Sequence, residues 1–269
     1  MSEYKIGFIG AGNMGGAMIK GVIASGLTDA ANIMVSDFDP EKYGPIALQY
    51  NVLTTNDNIK CAEFADVLIL AVKPNIITTV ISQIKDHISE DTTIISIAAG
   101  TMISVIEKAF DKRIKLIRVM PNIPVLVGEG MAALSPNEYA DDDSIAKAVE
   151  IFSSFGKCEV VSESLMDAVV GVSGSSPAYV CMFIEAMADA AVLDGMPRDK
   201  AYTFAAQSVL GTAKMILDKN YHPAVLKDMV CSPGGTTICA LKTLEEKGFR
   251  DAVISGQLAC SQKSKDMSK

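Results

Sequence analysis

The run Lys5-Ile6-Gly7-Phe8-Ile9 followed by Gly10-Ala11-Gly12-Asn13-Met14-Gly15 constrains the fold more than any other part of the chain. An apolar, β-rich segment enters a G-x-G-x-x-G turn, and the turn opens a helical stretch over Met14–Ser25. In that setting each glycine has a task. Gly10 permits a tight turn, Gly12 lets backbone approach a pyrophosphate, and Gly15 lets helix and strand pack closely. A helix that starts there offers unpaired N–H groups to phosphate oxygens. The motif alone is weak, and its place between strand and helix is what points to dinucleotide binding rather than an ordinary tight turn.

The same alternation continues to about residue 162. Further β-rich runs lie at Asn32–Ser36, Val67–Val72, Thr93–Ala98, Lys115–Met120, Met131–Leu134 and Glu159–Val161. Between them the pattern predicts helices over Asn58–Phe64, Ile76–Asp86, Ile103–Phe110 and Asp142–Phe155. Most of the runs are continuously apolar, as expected of strands covered on both faces, so the fold class is an α/β Rossmann, a doubly wound and mostly parallel sheet. Pro74 stops one strand, and Pro121 and Pro124 stop another, leaving Asn122 in a rigid turn at a strand carboxyl end.

From Ser164 the chain reads as helices only, at Leu165–Val172, Pro177–Leu193, Arg198–Asp218, Pro223–Val230, Thr236–Glu246 and Phe249–Ser261. Val180, Ile184, Met187 and Ala191 keep one apolar stripe, while alanines spread apolarity around that helix, which suits burial against a second subunit. The expected organisation is a dinucleotide-binding domain over 1–162 and an all-α dimerisation domain over 163–269. The polar end Ser261–Lys269 is expected to fray.

Composition removes several function classes. With a net charge of −8 the chain lacks the basic footprint of a nucleic-acid binder. Its six cysteines, Cys61, Cys158, Cys181, Cys231, Cys239 and Cys260, form no C-x-x-C pair, which suits buried thiols in a reducing cytosol better than disulfides or zinc. Two histidines, His87 and His222, leave little for His-based metal or triad chemistry, and no metal site is expected. The apolar start is broken by glycines and lacks a basic leader, so it reads as strand and helix rather than a secretory signal. No unbroken run of about eighteen apolar residues suggests a membrane span. The expected location is the cytoplasm.

Candidate cofactor residues cluster at strand ends. Beside Gly10, Gly12, Asn13, Met14 and Gly15, Asp37 ends the second run, where a carboxylate accepts from ribose hydroxyls and repels a 2′-phosphate. That leans toward NADH, while Ser36 and nearby Lys42 leave NADPH open, as does a plain turn role for Asp37 before Asp39-Pro40. Ala71-Val72-Lys73-Pro74 brings a lysine to the crevice for a phosphate or ribose, or else a solvated surface residue. Ala98-Ala99-Gly100 leaves room for a flat ring, or serves packing alone. In the helical half, Gly171–Tyr179 and Ser232-Pro233-Gly234-Gly235-Thr236-Thr237 are hydroxyl-rich turns entering helices. Each is either an anion nest or a helix cap, Ser176 and Thr236 being good capping types.

Together these stretches resemble the Δ1-pyrroline-5-carboxylate reductase family. The matching residues are Gly7–Met14, Ala71-Val72-Lys73-Pro74, Ala98-Ala99-Gly100, Arg118–Asn122, Ser173–Tyr179 and, most specifically, Leu226-Lys227-Asp228 through Ser232–Thr237. The resemblance implies reduction of Δ1-pyrroline-5-carboxylate to L-proline by hydride from NADPH or NADH, the last step of proline biosynthesis. It also implies a helical domain that interleaves with its partner's in a homodimer, often assembled further into a decamer, with the imino acid bound at the dimer interface. Thr237 corresponds to the family's catalytic threonine, Gly234, Gly235, Thr236 and Thr237 to the turn that holds the substrate carboxylate, and Ser232 to a residue lining the same pocket. Two positions depart from the family pattern. Ser176 stands where glycine is common before Pro177, and Met229 where an asparagine often contacts the cofactor. The alternatives are a β-hydroxyacid dehydrogenase, which needs a lysine early in the helical half, and a non-catalytic NAD(P)-sensing regulator.

Overall fold

The structure, a computed structural model, describes residues 4–267. Its strands are β1 (Ile6–Ile9), β2 (Ile33–Ser36), β3 (Leu53–Thr55), β4 (Val67–Leu70), β5 (Thr93–Ser96), β6 (Lys115–Met120), β7 (Gly130–Pro136) and β8 (Gly156–Val160). They form one sheet in the order β3-β2-β1-β4-β5-β6-β7-β8. All neighbours run parallel except β6 and β7, which pair antiparallel with Met120 opposite Ala133.

Alternation of side chains across the pleat explains the unbroken apolar runs. In β4, Val67 and Ile69 face one buried cluster while Leu68 and Leu70 face another. The first cluster is closed by α1 (Asn13–Ala24) and α6 (Asp142–Ser153), through Met18, Ile19, Val22, Ile151 and Phe152. The second is closed by α3 (Asn58–Phe64), α4 (Ile77–Ile84) and α5 (Ile103–Phe110), through Cys61, Ile81, Ile84, Ile106 and Phe110. Both faces are thus covered, the arrangement of a Rossmann sheet.

Two elements stand where the sequence pattern showed none. β3 has three residues, and α2 (Pro40–Tyr50) carries Gly44 and Pro45 and buries no side chain. That helix is held at its ends instead. The Asp39 carboxylate accepts from the Glu41 N–H at 3.1 Å, and Asn51 closes it at φ 55°.

The described chain divides into two compact units. One runs through Gly174 and regains the residues from Cys260 onward, and the other is Ser175–Ala259. Within the first, the single helix expected over Leu165–Val172 is a 3₁₀ turn (Glu163–Leu165), a short α7 (Met166–Val169) and a π-helix (Val170–Gly174). The remaining helices are α8 (Ser176–Leu193), α9 (Arg198–Lys219), α10 (Pro223–Met229), α11 (Thr236–Glu246) and α12 (Phe249–Met267). The end expected to fray from Ser261 is therefore helical to Met267, where Ser264 Oγ donates to Asp167 at 2.7 Å.

The second unit packs α8 against α9 and sets Phe183 6.0 Å from Phe249, yet its buried side chains are only Ala188, Ala201, Ala205 and Leu226. Glu163–Leu193 is long and apolar enough to cross a membrane by length and composition, with mean hydropathy 1.3. No unbroken apolar run marks it in the sequence, because Ser173-Gly174-Ser175-Ser176-Pro177 and the carboxylates Glu163, Asp167, Glu185 and Asp189 interrupt it. The cysteines also depart from expectation: all are free, but only Cys61 is buried, and Cys181 and Cys239 are exposed in the single chain.

Phe152 is fully enclosed and meets Phe155 edge-on at 5.5 Å. Phe152→Ala should cost about 3–5 kcal/mol, read as a lower urea midpoint. Burial pushes the Cys61 thiol up to about 12. Because the thiolate is the nucleophile, Cys61 should resist iodoacetamide at mildly alkaline pH until urea unfolds the chain, as mass mapping would show.

Candidate active site

β1 lies mid-sheet between β2 and β4, and the chain leaves β1 toward one face and β4 toward the other. That reversal is the switch point where α/β sheets bind ligands. Gly10 makes the turn there with φ +108°, and its N–H donates to the Ser36 carbonyl at 2.7 Å. A Cβ on Gly10 would overlap the Ala71 carbonyl, and one on Gly15 would overlap the Gly10 carbonyl. Gly12 differs. It is exposed, and a Cβ there would meet nothing within 4 Å. The first turn of α1 carries no side-chain cap and no acidic residue. Its first N–H groups are thus free of side-chain caps, as a phosphate-binding helix start requires, with Asn13 exposed and Met14 half-buried beside it.

Asp37 is not a solvated turn residue. Its side chain is 7% exposed, Oδ2 accepts from the Ala11 N–H at 2.9 Å, and Oδ1 accepts from the Asp39 N–H at 3.1 Å. Lys42 Nζ lies 3.5 Å from Oδ1. The carboxylate therefore ties the end of β2 to the glycine turn. Ser36 is fully enclosed, and its hydroxyl donates to Asn58 Oδ1 at 2.7 Å. A hydroxyl so placed is not presented to a 2′-phosphate, and this weakens the sequence argument for NADPH.

The other sequence candidates follow the carboxyl ends of β4 and β5, on the same sheet edge. Ala71 and Val72 are half-buried, while Lys73 and Pro74 are exposed and start a 3₁₀ turn. Ala98 is buried in the second cluster, so it packs, whereas Ala99 is exposed and Gly100 turns at φ +71°. Nearby, Asn122 is buried: its Nδ2 donates to the Ser173 carbonyl at 3.0 Å, and its Oδ1 accepts from the Met131 N–H at 2.8 Å. It joins β7 to the π-helix. Glu163 Oε1 accepts from Arg118 Nη1 at 2.8 Å and from the Ile103 N–H at 2.7 Å, holding β6 to the start of α5. The prolines around Asn122 were a local signal, but nothing in the sequence near Glu163 marks its partners, which lie 45 and 60 positions away.

In the second unit, Ser232–Thr237 forms a tight turn. The Gly235 N–H donates to the Ser232 carbonyl at 3.0 Å, and Gly234 takes φ +69°. Gly235, not Thr236, is the N-cap of α11, without a side-chain cap bond and without an acidic residue in the first turn. Thr236 and Thr237 thus occupy the first helical positions, with Thr237 half-buried and Ser232 and Thr236 exposed. This leaves the helix start able to receive an anion, as an anion nest requires. At the other hydroxyl-rich run the N-cap is Ser175 rather than Ser176. Met229 is exposed at the end of α10.

Residues 163–267 match the family described as "Pyrroline-5-carboxylate reductase dimerisation", and residues 5–100 that described as "NADP oxidoreductase coenzyme F420-dependent". A relative from Escherichia coli (strain K12), named pyrroline-5-carboxylate reductase, is 49% identical over 267 residues, which covers 99% of each chain. The chain belongs to the pyrroline-5-carboxylate reductase family. Its fold is similar to that of the solved pyrroline-5-carboxylate reductase from Coxiella burnetii, with TM-score 0.95, 36% identity and full coverage of both chains. It is also similar to the Plasmodium falciparum pyrroline carboxylate reductase solved with NADP bound, with TM-score 0.88, 31% identity and full coverage of both chains.

For this member of the reductase family the glycine turn gives a paired expectation. Gly12→Val adds bulk only on the open side, so its melting temperature should stay close to wild type while NAD(P)H affinity, read by fluorescence titration, falls about tenfold or more. Gly15→Val should lose both fold stability and affinity, because its side chain has no room.

Proposed function

We propose that this chain reduces Δ1-pyrroline-5-carboxylate to L-proline with reduced nicotinamide dinucleotide, the last step of proline biosynthesis. The observation that carries the reading is the Ser232–Thr237 turn, which ends on a helix start free of side-chain caps and acidic residues. We assign the substrate carboxylate to this turn. Ser232 Oγ and the N–H groups of Thr236 and Thr237 hold it, while Gly234 and Gly235 shape the backbone around it.

When bound, the reduced nicotinamide supplies a hydride to C5 of the imine. The imine nitrogen is basic enough to enter protonated, so the chain need supply no strong acid. The two histidines are engaged elsewhere, His87 with Glu63 at 2.9 Å and His222 as the N-cap of α10. Thr237 is the catalytic residue in this reading: its hydroxyl hydrogen-bonds the ring nitrogen and fixes the imine for attack. Gly10, Gly12, Asn13, Met14 and Gly15 take the pyrophosphate side, with Lys73 and Ala99 at the neighbouring strand ends.

We read residues 1–162 as the coenzyme domain and 163–269 as the association domain of a homo-oligomer. Met182, Leu193, Phe204, Ile254 and Leu258 are exposed in the single chain, and a second copy would cover such surfaces. We place the enzyme in the cytoplasm, as a dimer that assembles further, with a decamer as one closed form. A β-hydroxyacid dehydrogenase would need a lysine early in the helical half, and no lysine lies between Lys157 and Lys200.

The purified protein should consume NADH or NADPH when given the imine acid. Consumption only with a β-keto acid semialdehyde would replace this reading with the dehydrogenase, and binding without turnover would replace it with a sensor. Thr237→Ala should lower kcat by about tenfold to a hundredfold, the loss of one hydrogen bond to a charged group, with coenzyme affinity unchanged. An unaltered kcat would remove Thr237 from the chemistry.

A further inference from the structure

Arg118, Met120 and Asn122 alternate along one face of β6 and its extension, and each meets the segment 163–174. Arg118 is paired with Glu163, and a Cβ on Gly174 would lie 2.7 Å from Met120 Cε. Asn122 stands two residues past the end of β6, where the backbone is still extended at φ −130° and ψ 167°, so the alternation of the pleat reaches it. It is 8% exposed and uses both ends of its amide, Nδ2 on the Ser173 carbonyl and Oδ1 on the Met131 N–H. Ser173 belongs to the π-helix Val170–Gly174, a form that is rare in folded chains and frequent at functional sites. Asn122 also lies at the sheet edge that binds ligands. In a sheet built of two mononucleotide-binding halves, β4, β5 and β6 receive the nicotinamide half once β1, β2 and β3 have taken the adenosine end. Two strand spacings, on the order of 10 Å, separate β6 from β4, within reach of a nicotinamide riboside that starts at the switch point.

We propose that Asn122 is a positioning residue for hydride transfer: its hold on the Ser173 carbonyl fixes the π-turn as the wall beside the nicotinamide ring. The pyrophosphate is gripped at the glycine turn, so most of the coenzyme's affinity is decided there. The attitude of the ring is decided at the other end, by the backbone that borders it. A carbonyl held by a buried amide keeps one orientation, and the Met131 N–H ties that amide in turn to β7. An apolar side chain of the same size would fill the space but leave the Ser173 carbonyl and the Met131 N–H without this partner, so the amide serves geometry rather than volume. Orientation of this kind acts on turnover, since a misplacement of about 1 Å costs on the order of a hundredfold in rate.

This role rests on the reading of the chain as an NAD(P)H-dependent imine reductase, and its test separates the hydride step from coenzyme binding. On the full-length protein, stopped flow would follow oxidation of the bound coenzyme in a single turnover with the imine acid, and fluorescence titration would give the Kd of the same coenzyme. Asn122→Ala should slow the single turnover by about tenfold to a hundredfold, while the coenzyme Kd stays within about twofold of wild type. Asn122→Asp keeps an acceptor for the Met131 N–H and, as a carboxylate, loses the donor to the Ser173 carbonyl, so it should show the same split. If Asn122→Ala does not fold, Asn122→Asp decides the matter. A single-turnover rate at the wild-type level in a folded variant would overturn the role. So would a loss of rate matched by an equal loss of coenzyme affinity, the mark of a merely structural contact. Neither result touches the reaction, which the wild type tests: a wild-type chain that binds coenzyme and leaves the imine unreduced overturns the reading on which the role rests.

Discussion

The turn after β1 and the end of β4 approach so closely that no side chain fits between them. Ala71 donates its N–H to the Ile9 carbonyl at 2.8 Å, and the space beyond is filled by the Ala71 carbonyl itself. Gly10 is the residue that tolerates this, both for its missing Cβ and for its φ of +108°. The contact fixes where α1 begins, and Gly15 then seats the first turn of α1 on the Gly10 carbonyl. From that point the direction of the α1 N–H groups is set by covalent geometry. Asp37 secures the other side by holding the Ala11 N–H.

The same economy marks the second unit. In the proposed reading, an acidic chain with net charge −8 can still hold anions, because the positive ends of α1 and α11 act locally. Neither first turn carries an acidic residue, in a protein where 32 residues are Asp or Glu. Elsewhere the opposite choice is made. α6 carries Asp142 and Asp143 in its first turn, behind an Asp141 cap whose carboxyl is held well below the usual range by its bonds to Ser144 and Lys115.

Most of this was legible in the sequence because a sheet covered on both faces leaves apolar runs, unbroken in β1 and β4 and interrupted only by Arg118 within the Leu116–Met120 stretch of β6. β3 was not legible, since three residues are too few for periodicity. Nor was α2, where Gly44 and Pro45 mask a helix that is held by its caps rather than by burial. The glycine turn and the Ser232–Thr237 turn were readable as motifs. Their capping was not: Thr236 is a good N-cap type, yet the backbone places the cap one residue earlier, at Gly235. Spacing pointed to Asp37 for a ribose and left Ser36 open for a phosphate, and it does not show that the Ser36 hydroxyl is given to Asn58 while the Asp37 carboxylate holds the Ala11 N–H. Long-range partners such as Arg118 and Glu163 leave no trace in local sequence.

The second unit buries little more than three alanines and one leucine. A segment of this length normally encloses a hydrophobic core, and here the large apolar side chains point outward. Folding and self-association in such a unit are thermodynamically linked, so its stability carries a concentration term. The melting point of this unit is then expected to rise with protein concentration, so that dilution and unfolding become linked equilibria.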